Sequence, residues 1–198
     1  MKNKSKLLKV AIRAAKKAEK IILKHYQKKI EVGIKKDFSP VSIADVEAEK
    51  IIIATIQKKF PSHKFLAEES AKNIKKAKYL WIIDPIDGTK NYLRGIPLFA
   101  TQIALMKDGE LILGVSNAPA LKELMYAEKG SGAYYNNSKT QTSSILKLNQ
   151  SYILFGGIEY FKKKNLLNIL SFYSFNRIGL IISFPYKDLP KPKNNKTD

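Results

Sequence analysis

The spacing of apolar residues changes once along this chain, and that change limits the folds open to it. Up to residue 59 they recur at three- and four-residue steps; between residues 79 and 135 they fall into short runs separated by tight turns. In residues 5–29, Leu8, Ala11, Ile12, Ala15, Ala18, Ile22 and Tyr26 make one stripe, the period of an amphipathic helix, with Ser5 as a candidate N-cap. The opposite face is lysine, as on a helix lying on an acidic membrane. The apolar stripe, however, is alanine-rich and lacks Trp or Phe anchors, so a helix packed on a sheet is the better reading. Residues 42–59 predict a second helix through Ile43, Val46, Ile51, Ile52, Ala54 and Ile56, closed by Pro61. Between the two helices, residues 34–41 contain Asp37-Phe38-Ser39-Pro40 and predict a turn.

Strand signals follow. Residues 63–67 predict a short strand, 71–78 a lysine-rich loop, and 79–83 a buried strand. Residues 99–106 and 111–116 predict a hairpin around Lys107-Asp108-Gly109, a turn of the Asp-Gly type. Residues 123–128 and 132–135 continue the meander around Gly130-Ser131-Gly132, and 136–150 read as a polar loop. Residues 152–156 predict another strand, and 162–171 an amphipathic helix through Leu166, Leu167 and Leu170. Helices first and an antiparallel meander afterwards argue for α+β layers, not an alternating βαβ chain. A chain of 198 residues suits one large domain or one and a half small ones. The division expected is an α+β domain over residues 1–150, a remnant of a second α/β domain over 151–186, and a disordered basic tail over 187–198.

Composition narrows the chemistry. There is no cysteine, which excludes disulfide scaffolds, thiolate metal sites and cysteine nucleophiles. With His25 and His63 as the sole histidines, any metal must be held by carboxylates and carbonyls, which favours a hard cation such as Mg²⁺. The formal charge of +19 attracts anions: phosphorylated metabolites, nucleic acid or acidic surfaces. Its lysines are scattered and Arg occurs at positions 13, 94 and 177, so a solvated basic surface is the simpler account. No run reaches the ~20 apolar residues of a membrane span. Lys9, Arg13, Lys16, Lys17 and Lys20 interrupt any apolar leader, so a cytoplasmic protein with no membrane partner is expected.

The segment richest in chemistry is Trp81-Ile82-Ile83-Asp84-Pro85-Ile86-Asp87-Gly88-Thr89. A buried strand delivers Asp84 to its carboxyl end, Pro85 is expected to stop the strand, and Asp87 returns beyond the turn. Two carboxylates held this close repel unless a cation lies between them. Gly88 and Thr89 could open a helix whose first N–H groups suit a phosphate. Asp-Pro-x-Asp-Gly by itself is an ordinary surface turn. A strand and the acidic pair Glu68-Glu69, 16 residues upstream, converge on this one, and Asp45 on the second helix adds a third acidic position.

Asp84-Pro85-Ile86-Asp87-Gly88-Thr89, preceded by Trp81-Ile82-Ile83, resembles the signature of the inositol monophosphatase family of magnesium-dependent phosphomonoesterases. Ala67-Glu68-Glu69-Ser70 resembles that family's acidic motif, with Ala67 where Gly is usual. Ser39-Pro40-Val41-Ser42-Ile43-Ala44-Asp45 resembles its Asp-bearing segment, and Gly114-Val115 through Gly130-Ser131-Gly132-Ala133 follows its meander. The resemblance covers roughly residues 5–179. It implies a layered α/β sandwich of the inositol monophosphatase and fructose-1,6-bisphosphatase type. It also implies hydrolysis of a small polyol or sugar phosphate, such as inositol monophosphate, by metal-activated water.

Carried onto this chain, the resemblance implies that Glu68, Asp84 and the backbone carbonyl of Ile86 bind one Mg²⁺, and Asp84 and Asp87 a second. Glu68 would orient and activate the attacking water, and Thr89, paired with Asp45, would hold another water. The substrate phosphate is expected over Ile86, Asp87, Gly88 and Thr89, with backbone N–H bonds from the last two.

The chain departs from the family toward its C-terminus. Relatives carry a later Trp-Asp motif whose Asp completes the second metal site, and the sole Trp here is Trp81. Arg177-Ile178-Gly179 resembles the start of the family's next strand, after which the chain runs into Leu180-Ile181-Ile182 and the basic tail. A C-terminally truncated member with most of its second α/β domain missing is expected. Exposed apolar surface would then lead to homodimerisation, poor solubility or marginal stability. Two alternatives follow: an inactive or weakly active homologue, or a non-enzymatic protein associated with RNA and the transcription machinery. The substrate stays open. Ile103-Ala104-Leu105 and Asn117-Ala118-Pro119-Ala120-Leu121 resemble histidinol-phosphatase-like members as much as inositol-specific ones.

Overall fold

The structure is a computed structural model that describes residues 4–28, 32–34, 40–70, 77–146, 153–154 and 178–179. The chain forms two compact units, Met1–Gln141 and Thr142–Asp198.

The first unit opens with α1 (Lys6–His25). Ser5 caps it, its side chain accepting the Leu8 N–H at 3.1 Å. Leu8, Ala11, Ala14, Ala15, Ala18 and Ile22 form its buried face. Four alanines on that face let the helix backbone come close to its neighbours. The helix ends four residues before the predicted residue 29: Tyr26 is extended and Gln27 has φ 60°. The Tyr26 hydroxyl donates to the Gly95 carbonyl at 2.6 Å.

Of the turn predicted over 34–41, residues 35–39 lie outside the described residues. β1 (Val32–Ile34) pairs antiparallel with β2 (Pro40–Ser42). Pro40 sits at the first residue of its strand, where a missing N–H is tolerated. β2 runs directly into α2 (Ile43–Gln57). Ala44, Ala48, Ile52 and Ile56, one turn apart, face the core. Beside them two acids are also buried, Asp45 and Glu49.

A seven-stranded sheet carries the rest of the unit: β3 (Lys64–Ala67), β4 (Tyr79–Asp87), β5 (Ala100–Lys107), β6 (Glu110–Ala118), β7 (Glu123–Glu128), β8 (Gly132–Tyr135) and β9 (Ser138–Thr140), in that order. β3 and β4 are parallel; every other neighbouring pair is antiparallel. α1 packs on α2 and on β5 and β6, and α2 packs on β4. Trp81, Ile83, Ile103, Leu105, Leu113 and Val115 point into the core between these layers. The α+β layering read from the sequence is therefore the architecture of this unit.

Two sequence expectations about the sheet are corrected. Pro85 does not stop its strand: β4 continues to Asp87, with its register against β5 shifted between Asp84 and Asp87. An irregularity of this kind absorbs a residue that cannot donate to the ladder, and Thr101 Oγ1 donates to the Pro85 carbonyl at 2.9 Å. Residues 136–150 are not all loop. Asn136 and Asn137, at φ 44° and 70°, turn the chain into β9, which pairs with β8. Asn tolerates the left-handed conformation that such a hairpin requires. The Asp108-Gly109 hairpin has the expected positive φ at both residues, 51° and 85°.

In the second unit β10 (Ile153–Leu154) pairs in parallel with β11 (Ile178–Gly179). The predicted helix over 162–171, the apolar run 180–186 and the tail 187–198 lie outside the described residues. Among the described residues, no helix is long and apolar enough to cross a membrane.

Candidate active site

The parallel pairing of β3 with β4 places the first two acids. Its register runs Lys64 with Leu80 through Ala67 with Ile83, so the next residues along, Glu68 and Asp84, emerge side by side where β3 and the parallel pairing end. The Glu68 N–H still donates to the Ile83 carbonyl at 3.1 Å, the last tie between the two strands. The core residues Trp81 and Ile83 hold Asp84 at the floor of this edge.

Asp84 is the most perturbed acid described there. Its carboxyl pKa is pushed up to about 9, first by burial, then by the Glu68 charge and a hydrogen bond with the Glu68 carboxyl, then by Asp87 and Asp45. Its Oδ1 is buried and accepts no hydrogen bond. Asp87, past the irregularity in β4, is also pushed up by burial and by Glu68, while a hydrogen bond from Gln102 opposes the shift. That bond, Gln102 Nε2 to Asp87 Oδ2, is 3.2 Å.

The second helix supplies Asp45. It sits in the first turn of α2, where its Oδ2 accepts the Ser42 N–H at 2.8 Å and the Ser42 hydroxyl at 2.6 Å. Its Oδ1 lies 3.5 Å from Thr89 Oγ1, a long contact. The Thr89 hydroxyl has one proton to give, and the Ile86 carbonyl is the closer acceptor at 3.0 Å. Gly88 precedes α3 (Thr89–Leu93) with φ 92°, and a Cβ there would stand 2.9 Å from the Leu98 carbonyl. Glycine is therefore required for this loop to close onto the segment before β5. Tyr92 ties α3 to the end of α1, its hydroxyl donating to the Ile22 carbonyl at 2.9 Å.

The structure thus sets Glu68 and Asp84 against each other, with Asp87 and Asp45 near enough to act on Asp84, and Ile86, Gly88 and Thr89 at the junction of β4 and α3. It does not gather them into a closed ligand set: among the described residues, no three His, Asp or Glu side chains converge on one point. Gln102 draws Asp87, and Ser42 draws Asp45. Two participants were not read from the sequence. Gln102 stands opposite Asp84 in the β4–β5 register, which only a correct hairpin alignment reveals. Glu49 lies four residues after Asp45 on α2, and its Oε2 accepts the Glu69 N–H at 2.7 Å. The one-turn repeat of acids on an otherwise apolar face was its available signal.

A helix-backed mixed sheet with a half-buried Asp84 beside an exposed Glu68 where its two parallel strands part, and a buried Asp45 on the helix above, defines an α+β protein with an all-oxygen, acid-lined site. The comparisons make the class particular: the chain belongs to the inositol monophosphatase family, whose model matches residues 3–171. It is 41% identical over 154 residues to a histidinol-phosphatase of Chlorobaculum parvum, covering 77% of this chain and 60% of that protein. It is 39% identical over 145 residues to the Nus factor SuhB of Vibrio cholerae, covering 72% of this chain and 54% of the relative. Among solved structures it superposes on the extragenic suppressor protein suhB of Bartonella henselae with a TM-score of 0.79 at 33% identity. That match takes in 90% of this chain and 71% of the other. The chain spans 60% and 54% of the length of these two curated relatives.

Proposed function

We propose that this chain is a magnesium-dependent phosphomonoesterase acting on a small polyol or sugar phosphate. The observation that carries the reading is Asp84: a largely buried acid beside Glu68, raised to about 9, with one oxygen lacking any hydrogen-bond donor. Such an oxygen is costly unless a cation or donor meets it. Glu68 and Asp87, which both act on Asp84, and the Ile86 carbonyl on the same strand are oxygen donors of the kind a hard divalent ion takes. Glu68, Asp84, Asp87 and the Ile86 carbonyl would hold Mg²⁺. Bound there, it would supply Lewis acidity at the phosphate and lower the pKa of the attacking water.

The chain's own residues do the rest. Glu68 orients the attacking water and receives its proton. Thr89, braced against the Ile86 carbonyl and facing Asp45, fixes a second water. Ile86, Asp87, Gly88 and Thr89 form the seat of the phosphate, the backbone N–H groups of Gly88 and Thr89 donating to its oxygens. No covalent intermediate is required. We place this reaction in the cytoplasm, where phosphorylated metabolites are found, and read residues 1–150 as the domain that bears the site.

Release of inorganic phosphate from a panel of inositol, histidinol and sugar phosphates, with and without Mg²⁺, tests this reading. Magnesium-dependent turnover of any member is the expected result. A second reading, of a protein binding RNA or the transcription machinery, is favoured by the relative named as a Nus factor together with the +19 charge. Phosphate release absent from the whole panel, combined with salt-sensitive binding of RNA or RNA polymerase, would support it instead. Homodimerisation belongs to the proposal too, and light scattering on the eluted protein measures it.

A further inference from the structure

Glu68 leaves the sheet at the point where its side chain has to be aimed. β3 ends at Ala67, and the parallel ladder ends with Ala67 opposite Ile83. One peptide plane beside the Glu68 Cα is still held by the sheet, through its own N–H on the Ile83 carbonyl at 3.1 Å. The other plane carries the Glu69 N–H, for which the strand pairing offers no acceptor. That N–H goes to Glu49 Oε2 at 2.7 Å. Glu49 is 3% exposed, on the core face of α2, one turn after Asp45. A carboxyl buried this deeply in an apolar layer is costly unless it is hydrogen-bonded.

We propose that Glu49 is a positioning residue for the phosphatase site, acting through the Glu69 N–H to fix the direction of the Glu68 side chain toward Asp84. The proposal rests on the phosphatase reading above, because it concerns the aim of a proposed Mg²⁺ ligand. With both flanking peptide planes held, the Cα–Cβ bond of Glu68 has one direction. Releasing the second plane lets Glu68 swing, and a metal ligand left without its outer partner loses affinity. α2 then serves the site at two points one turn apart: Asp45 toward Thr89 and Ser42, and Glu49 toward the loop after β3.

The test compares the parent, Glu49→Met and Glu49→Gln. Methionine keeps the length and apolar packing of the side chain but cannot replace the carboxyl as acceptor; glutamine keeps an acceptor oxygen. Two quantities are read: Mg²⁺ affinity by calorimetry, and hydrogen exchange of the Glu69 amide relative to the Ile83 and Ile103 amides. The expected result is Mg²⁺ affinity weaker by on the order of tenfold or more in Glu49→Met. Glu69 protection should be lost there while the strand amides keep theirs, and both should recover in Glu49→Gln. Equal Mg²⁺ affinity in parent and Glu49→Met, or a glutamine variant as weak as the methionine one, overturns the proposal and leaves the phosphatase reading standing. A parent that shows no Mg²⁺ binding overturns both. Should Glu49→Met fail to fold, the parent decides: a Glu69 amide exchanging at the rate of an unstructured peptide sinks the proposal, and strand-like protection upholds it.

Discussion

Asp84 is where folding and function pull against each other. Burial and the neighbouring Glu68, Asp87 and Asp45 all disfavour its ionised form. In the absence of Mg²⁺ the folded chain therefore holds a proton that the unfolded chain releases above the ordinary value of 3.8. The corresponding stability is complete below 3.8 and is lost as pH rises through about 9, so the chain in chelator should melt at a lower temperature at pH 9 than at pH 7. Asp84→Asn removes the charge and offers Glu68 a donor. It should flatten that dependence and raise the midpoint while weakening Mg²⁺ binding by on the order of tenfold or more. Asp45→Asn should weaken Mg²⁺ binding less, since Asp45 is engaged by Ser42; paired melts and calorimetric titrations check both statements. His63 behaves in the opposite sense. It stacks between Phe60 and Tyr79, and its Nδ1 accepts the Trp81 indole N–H at 3.0 Å. Burial lowers its pKa from 6.5. Its contribution is thus present above pH 6.5 and lost as pH falls below that value, because only the unfolded chain takes up the proton readily. Urea unfolding at pH 7.5 and 5.5 should show the loss, and His63→Phe should reduce it.

At the scale of elements, the site depends on how β4 ends. A strand that stopped at Asp84 would leave Ile86 and Asp87 in a free turn. The shifted register instead keeps Asp87 against Ala100 and lets Thr101 bind the Pro85 carbonyl. Gly88 then carries the chain past the Leu98 carbonyl into α3. Gly88→Ala combines a positive φ with a Cβ 2.9 Å from that carbonyl. It should cost at least ~2 kcal/mol of stability and move Thr89 off the Ile86 carbonyl. Denaturant titration gives the first effect; reduced phosphate release at saturating substrate gives the second.

At the scale of the molecule, every member of the buried hydrophobic cluster found among the described residues lies between Leu8 and Tyr126, within the unit Met1–Gln141. A fragment of residues 1–150 holds that whole cluster and every proposed site residue. It should melt cooperatively within about 5 °C of the full chain, the shift expected from roughly 1 kcal/mol in a domain of this size. A broad, non-cooperative transition of the fragment would mean that residues beyond 150 are needed to close the core.

Period and punctuation were enough to read α1, α2 and the β5–β6 and β7–β8 hairpins, because each is decided by neighbours a few residues apart. A proline in an apolar run was misread at Pro85, since a side chain from another strand, Thr101, takes the place of the ladder. The same holds for the Asn136-Asn137 turn into β9, which reads as loop until β8 offers it an edge. The acids at 45, 68, 84 and 87 were legible as types in a pattern. Which of them is charged, and which is held by what, was not. The elevated pKa of Asp84 exists because a parallel pairing brings Glu68 beside it from 16 residues upstream. Glu49 and Gln102 reach the site only because α2 and β5 pack where they do. Local chemistry wrote the motif into the chain; desolvation and proximity, which belong to tertiary packing alone, decided what its carboxyls are.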